Sequence, residues 1–314
     1  MNLDQLRTFL LIAESGGISK AANRLRLSQP AASRQLLGLE AELGVQLFGR
    51  IGRGLQLTSE GEDLLVRCRR LIDDAESLRD RARALNTGQT GLLRVGAPPQ
   101  VIESILAGFV QQYRQRYPNV DIQLIDDAAG SLPGRLERGE LHLMEVPAGN
   151  ERYPAQPLYP GHMLVVMRRQ HRLARKAMVE VKELVDEPLL LLRPTATARA
   201  WVDAAFNVAN VDQRIRLEST VPHTLIALAI TAYGVAIVPS NVIIPREHLR
   251  AIPLVLHGKP IGRWAVISWH PDRFLPPYAR RFVEELVPYA LRRHPGRDLI
   301  RRAPPLARPR ATAP

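Results

Sequence analysis

Cysteine is almost absent: Cys68 is the only one in 314 residues. A lone thiol excludes an internal disulfide framework and any zinc site built from several cysteines, and it suits a reducing compartment. Long apolar runs are lacking too. The longest, Leu225–Val238, is broken by Thr231, Tyr233 and Gly234. It falls short of the roughly 20 residues a spanning helix needs and predicts a helix followed by a buried strand. The N-terminal stretch MNLDQLRTFLLIAESGG carries Asp4 and Arg7 where a secretory leader places its basic end and apolar run. No export signal is read, and a cytoplasmic location is expected. Signatures of catalysis are missing as well: there is no GxxxxGK(S/T), HExxH or GxSxG, and no GxGxxG opening a helix after a strand. The expectation is a protein that is not an enzyme, with no cofactor and no metal site.

What the chain does have is size and positive charge. A length of 314 residues admits two or three units, and 46% apolar with 24% charged residues is the composition of a globular protein. The formal net charge of +12 favours an anionic partner, nucleic acid or a membrane surface. About half of the excess lies in residues 290–314, where seven arginines face Asp298 alone. Global charge therefore says little about the N-terminal helices.

The stretch LSQPAASRQLLGLE, residues 27–40, decides between these partners. Proline is tolerated only in the first turn of a helix, so Ser28 is predicted as the N-cap of a helix that carries Pro30. Winding at about 100° per residue places Ala32, Leu36 and Leu39 on one arc and Gln29, Pro30, Ser33 and Arg34 on the next. The second arc offers short hydrogen-bonding groups, little bulk and one arginine. Upstream, Leu3, Leu6, Leu10 and Ala13 predict a helix over 3–14, ended by Gly16-Gly17. A second short helix is predicted over Ser19–Leu25, capped by Ser19 and turned by Arg26-Leu27. Two short helices joined by a tight turn, the second exposing a polar arc, form a helix-turn-helix sized for a DNA major groove. Downstream, VQLFGRIGRGLQLT alternates apolar residues around a glycine-rich tip bearing Arg50 and Arg53. Beside such helices it reads as a wing that brings arginine to phosphates or the minor groove.

Ser59 and Glu62 fit a capping box, and Leu64, Cys68, Leu71, Ala75, Leu78, Ala82 and Leu85 alternate steps of 4 and 3. This is a coiled-coil seam, expected to pair two chains and fix the spacing of two DNA-reading units, with Cys68 as a core thiol. NTGQTG, residues 86–91, has the composition of a hinge. After it strands alternate with helices: LLRVG, a helix from about Ile102 to Tyr117, VDIQLI, a short helix, LHLMEV. The pattern predicts an α/β domain with parallel strands and a ligand site beyond their carboxyl ends.

The run ISKAANRLRLSQPAASRQLLGLEAELGVQLFGRIGRGLQLTSEG resembles the N-terminal domain of LysR-type transcriptional regulators. Looser likeness continues through ERGELHLMEV, PLYPGHMLVVMRRQHRLA, ELVDEPLLLL and AYGVAIVPS. The resemblance implies an α/β protein with an N-terminal all-α winged helix-turn-helix (1–58), a dimerising linker helix (59–87) and a bilobal effector domain like type 2 periplasmic binding proteins (91–292). A basic Pro/Arg-rich tail follows (293–314), expected from composition to be disordered. The implied partners are double-stranded promoter DNA, a small-molecule effector, a second chain through the linker helix with a tetramer above it, and RNA polymerase; a membrane is not among them. DNA contacts carry over to Gln29, Pro30, Ser33, Arg34 and Arg53, with Arg50 beside them on the wing. Gln29 suits an adenine edge and Pro30 a thymine methyl. Leu37 and Gly38 stand where basic residues are frequent in the family, and Gly49 where an acidic one is.

For the effector, the resemblance points between the lobes. The first loop is APPQ, residues 97–100, where Pro98 and Pro99 remove two backbone donors that would help hold a carboxylate. Thr195 and Thr197 in RPTATAR stand at a helix start suited to an anion or polar oxygen, helix capping being the competing role. Gln100 and His223 are expected to add polar contacts, and His142 to be a buried structural histidine. The expected mechanism is that effector binding closes the lobes and repositions subunits on DNA. A solute-binding module without a transcriptional role is the alternative, and an enzyme with an accessory DNA-binding arm would require turnover by residues 91–290.

Overall fold

The computed structural model describes residues 1–51, 54–87 and 90–314; for residues 50, 51, 54, 81 and 83–87 only the backbone is described. The chain divides into two compact units, Met1–Asn86 with Arg138–Glu140, and Thr87–Glu137 with Leu141–Pro314.

In the first unit α1 (Leu3–Ser15) opens on a capping box: Asn2 Oδ1 accepts the Gln5 N–H at 2.9 Å and Gln5 Oε1 accepts the Asn2 N–H at 2.8 Å. Gly16, at φ +69°, stops the helix with its N–H on Ile12 O. The second helix, α2 (Ile18–Leu25), begins one residue before the predicted Ser19, with Gly17 at the cap position and no side-chain cap bond. Arg26 then turns the chain at φ +55°, and α3 (Gln29–Leu43) starts as read, Ser28 Oγ accepting the Ala31 N–H at 3.3 Å. Ala32, Leu36 and Leu39 are buried, joining Leu6, Phe9, Ile12, Ala21 and Leu47 in one core. The hydroxyl of fully buried Thr8 bonds the Gln35 side chain and ties α1 to α3.

Glu40, late in α3, accepts the N–H groups of Leu47 (2.8 Å) and Phe48 (3.3 Å), which fastens the hairpin of β1 (Phe48–Ile51) and β2 (Gly54–Leu57) to the helices. The long helix α4 (Ser59–Thr87) follows. Its cap is Thr58, not Ser59: Thr58 Oγ1 accepts the Gly61 N–H at 2.9 Å and donates to Gln46 O at 2.7 Å. The predicted seam divides. Cys68 is buried with Ile72 in the core of its own unit, whereas Leu71 and Leu78 are 46% and 68% exposed.

The second unit has two lobes. The first contains β3 (Gly91–Ala97), a helix running from α5 (Pro99–Val101) through a π-helical turn (Ile102–Leu106) into α6 (Ala107–Arg116), then β4 (Val120–Asp126), α7 (Leu132–Glu137) and β5 (Leu143–Pro147). The strand β6 (Ala155–Arg168) leads into the second lobe, which holds β7 (Val179–Glu180), β8 (Leu189–Leu192), α8 (Thr197–Ala209), β9 (Ile215–Ser219), α9 (Pro222–Ile230), β10 (Val235–Pro239), β11 (Leu249–Leu256) and β12 (Lys259–Pro260). The chain returns along β13 (Gly262–Ser268) to α10 (Pro277–Arg293).

The sheet order is β4-β3-β5-β13-β6-β10-β8-β9. Pairs within each lobe (β3 with β4 and β5, β8 with β9 and β10) are parallel as expected, but β6 and β13 run antiparallel to their neighbours, so the sheet is mixed. Gly262, opposite His162 on the crossing strands, comes close to the neighbouring Gly161: a Cβ on Gly262 would lie 2.1 Å from Gly161 O. Phe109, Tyr113, Tyr278 and Phe282 centre the first lobe's core; Val165, Leu189, Leu191 and Phe206 belong to the second's.

The tail expected to be disordered is instead laid along these crossing strands. Trp264 Nε1 donates to Leu306 O (3.1 Å), the Arg308 guanidinium stacks over the Trp264 ring (5.3 Å), and Thr312 N–H donates to Ala155 O (2.8 Å). Leu299 and Ile300 pack on the second lobe's core. Composition misled here because the tail has no helical stripe; an extended proline-rich segment needs none to bury isolated apolar residues and offer its carbonyls to a neighbour.

Candidate DNA-binding face and effector cavity

With Ala32, Leu36 and Leu39 turned inward, α3 leaves Gln29, Pro30 and Arg34 exposed and Ser33 half-buried at its N-terminal end. All four predicted residues of this helix therefore share its open side. Leu37, on the next turn, is 60% exposed. Arg50 sits on β1, opposite Leu55, with only its backbone described, and Arg53 lies outside the described residues.

A cavity of about 420 Å³ lies between the lobes of the second unit. Its wall includes the APPQ loop (Pro98, Pro99, Gln100), the end of β4 (Asp126), the middle of β5 (Glu145) and the starts of α8 and α9 (Thr197, Pro222). Of the predicted effector residues, Gln100 and Thr197 line it. Thr195 is exposed and absent from the lining, and neither threonine caps α8: the cap position is Ala196, with no side-chain bond. His223 also stands outside the lining, its Nε2 3.3 Å from Glu103 Oε2. His142 is a structural group as expected. Its Nδ1 accepts the Arg94 N–H at 3.0 Å, and burial, with Arg94 and Arg273 nearby, holds its pKa down at about 3.

The start of α8 is fixed by Arg199, 6% exposed, which donates to Asp203 (2.6 Å), to Leu192 O (2.6 Å) and to Glu218. On the cavity floor stand residues that sequence reasoning missed. Glu145 is 3% exposed, and its Oε1 accepts the Tyr159 hydroxyl at 2.9 Å. Tyr159 is itself held by Asn241 Nδ2 (3.4 Å) and stacked on the His294 ring (5.2 Å between centroids). Burial pushes the Glu145 carboxyl up to about 7 against the opposing pull of the Tyr159 bond, and holds His294 down at about 4. The signal was an acid in the middle of the apolar strand LMEVP.

Residues 3–62 match the bacterial regulatory helix-turn-helix protein, lysR family, and residues 86–290 match the LysR substrate binding domain. Among curated proteins, the chain is 32% identical to the HTH-type transcriptional regulator ClcR of Pseudomonas putida over 77% of this chain and 84% of that protein. It is 29% identical to the HTH-type transcriptional regulator IlvR of Caulobacter vibrioides over 88% and 94%. Among solved structures, a full-length OxyR variant from Pseudomonas aeruginosa aligns with a TM-score of 0.71 and 24% identity, covering 92% of this chain and 94% of that one. Full-length CbnR in complex with its target DNA aligns with a TM-score of 0.66 and 24% identity, covering 92% and 100%. The helix-turn-helix unit and the two-lobed domain stand in the order in which the two family models match, and the chain belongs to the LysR family of helix-turn-helix transcriptional regulators with an effector-binding domain.

Proposed function

We propose that residues 1–58 read a promoter in its major groove through Gln29, Pro30, Ser33 and Arg34, with Arg50 and Arg53 of the wing on the flanking backbone. Residues 59–87 join two chains, and a tetramer forms from the dimers. Residues 91–292, joined by the packed tail 293–314, hold a small-molecule effector through Gln100 and Thr197, with Thr195 and His223 at the margin of the site. The ligand shifts transcription by changing which half-sites the oligomer engages and how it presents itself to RNA polymerase, and it does so only to the extent that it binds the two states unequally. The protein acts in the cytoplasm, where promoter DNA is, and carries out no chemical step of its own.

One observation carries this reading: α3 buries Ala32, Leu36 and Leu39 and turns Gln29, Pro30 and Arg34 outward at its N-terminal end. The test is binding to a fragment from upstream of the protein's own gene, followed by anisotropy. Gln29→Ala is expected to weaken specific binding by about 1–3 kcal/mol, and Arg34→Ala to flatten the dependence on salt if it meets a phosphate. Equal affinity of Gln29→Ala and the parent, with the fold intact by circular dichroism, counts against the assignment.

A further inference from the structure

Hydrogen-bonding groups around the cavity are unevenly distributed. Glu145 Oε1 takes the Tyr159 hydroxyl at 2.9 Å, and this bond works against the burial of its carboxyl. Because Tyr159 spends its only proton on Glu145, it can only accept from Asn241, which fixes the amide with Nδ2 toward the ring hydroxyl. Asn241 Oδ1 therefore faces away, buried and without a partner. Glu145 and Asn241 both line the cavity and both hydrogen-bond the same phenol oxygen. Further out, Asp126 and Asp127 are in the lining, Asp127 being paired with Arg135 at 2.6 Å.

Side-chain donors on the wall include Gln100, Thr197 and Thr220, but two of its helix starts withdraw backbone donors. Prolines at the starts of α5 and α9, Pro99 and Pro222, lack the N–H that a helix start normally offers, and Pro98 removes another. The single cation of the lining, Arg263, is exposed, with its Nη1 3.4 Å from Ala148 O. A carboxylate placed on the floor would meet a second carboxyl and a lone amide oxygen. An ammonium would supply the counter-charge that the buried carboxyl lacks.

We propose that the ligand of this cavity is an organic amine, its ammonium held by the Glu145 carboxylate and its apolar body against Leu192, Trp201 and Val221. This rests on the reading of the cavity as the effector site. The buried carboxyl, costly to ionise without a counter-charge, becomes the recognition element once a cation lies beside it. Selection against acids follows from the like charge of Glu145, Asp126 and Asp127.

The test uses the full-length protein and matched probes: phenyl, cyclohexyl and isobutyl bodies, each as amine, alcohol and carboxylate, with binding followed by saturation-transfer NMR and titration calorimetry. Amines are expected to bind best, to lose affinity by about tenfold or more in Glu145→Gln, and to be excluded by Ala128→Trp, which fills the cavity wall from an exposed position. Carboxylates or alcohols that outbind the amines, and are lost in Ala128→Trp, overturn the amine assignment and leave the cavity as the site. Amine binding unchanged in Glu145→Gln overturns the role of the carboxylate. Binding that survives Ala128→Trp, or no binding by any probe, overturns the reading of the cavity itself.

Discussion

Replacing Glu145 by glutamine removes a buried acid while keeping its shape, and the effect on stability should depend on pH in a defined direction. The carboxyl titrates near its ordinary 4.5 when unfolded and at about 7 when folded. Between those values the folded state binds more protons, so parent stability falls as pH rises through the window and levels off above it. Below about pH 4.5 the buried acid is neutral in both states and contributes no penalty. The interval corresponds to about 3 kcal/mol at most, from roughly 1.4 kcal/mol per pKa unit. Glu145→Gln should therefore gain on the parent between pH 5 and pH 8 by about 2.5 kcal/mol, or roughly 5–10 °C in Tm for a unit of this size. Other titrating groups act in the opposite sense: neutral His142 and His294, held at about 3 and about 4, withdraw stability as pH falls below the ordinary histidine value. They are common to both proteins, so the difference between the melting curves isolates Glu145. Calorimetric melts of parent and variant at pH 5, 6, 7 and 8 are the assay. A constant difference across the series, or a variant less stable at pH 8, would refute the burial argument.

Three further outcomes follow from packing. Gly61→Ala places a Cβ 2.2 Å from Leu47 O at the start of α4, so the DNA-binding unit should lose about 1–3 kcal/mol in urea melts, and no change would contradict the close approach. Leu71→Glu combined with Leu78→Glu charges the exposed side of α4; sedimentation velocity should show loss of the dimer, and an unchanged oligomer removes α4 from the interface. Ending the chain at His294 strips Leu299, Ile300 and Leu306 from the second unit, with an expected loss of about 2–4 kcal/mol. A solvated tail would leave the melt unchanged.

The DNA-reading end was legible in the sequence because local rules and tertiary need agree there. Proline at the start of α3, a serine cap before it and an apolar arc at helical spacing all specify the same helix, and the polar arc is what remains. Caps were less legible where two candidates adjoin: Thr58 rather than Ser59 caps α4 because its hydroxyl also reaches Gln46 O, a contact twelve residues away in sequence. The parallel strands of each lobe followed from their apolar runs, while the antiparallel crossing of β6 and β13 depends on pairings remote in sequence. In the cavity, the loop around Pro98 and Gln100 was legible from its place after the first strand. Glu145, Tyr159 and Asn241 come from β5, β6 and the segment after β10, and no spacing rule brings them together. Thr195 and Thr197 looked equivalent in sequence; Thr195 lies before the cap Ala196, and only Thr197, the first helical residue, is on the cavity wall.

The central claim is that α3 reads DNA sequence rather than merely attracting phosphate. It is tested most directly by mixing the purified protein with sheared DNA of its source genome at physiological salt and sequencing what is retained, for the parent and for Gln29→Ala. Enrichment of an interrupted palindrome by the parent, lost in the variant, is the expected result. Uniform retention of all fragments by both proteins, fading together as salt rises, would mean that the +12 charge alone binds DNA, and would contradict the assignment of the recognition helix.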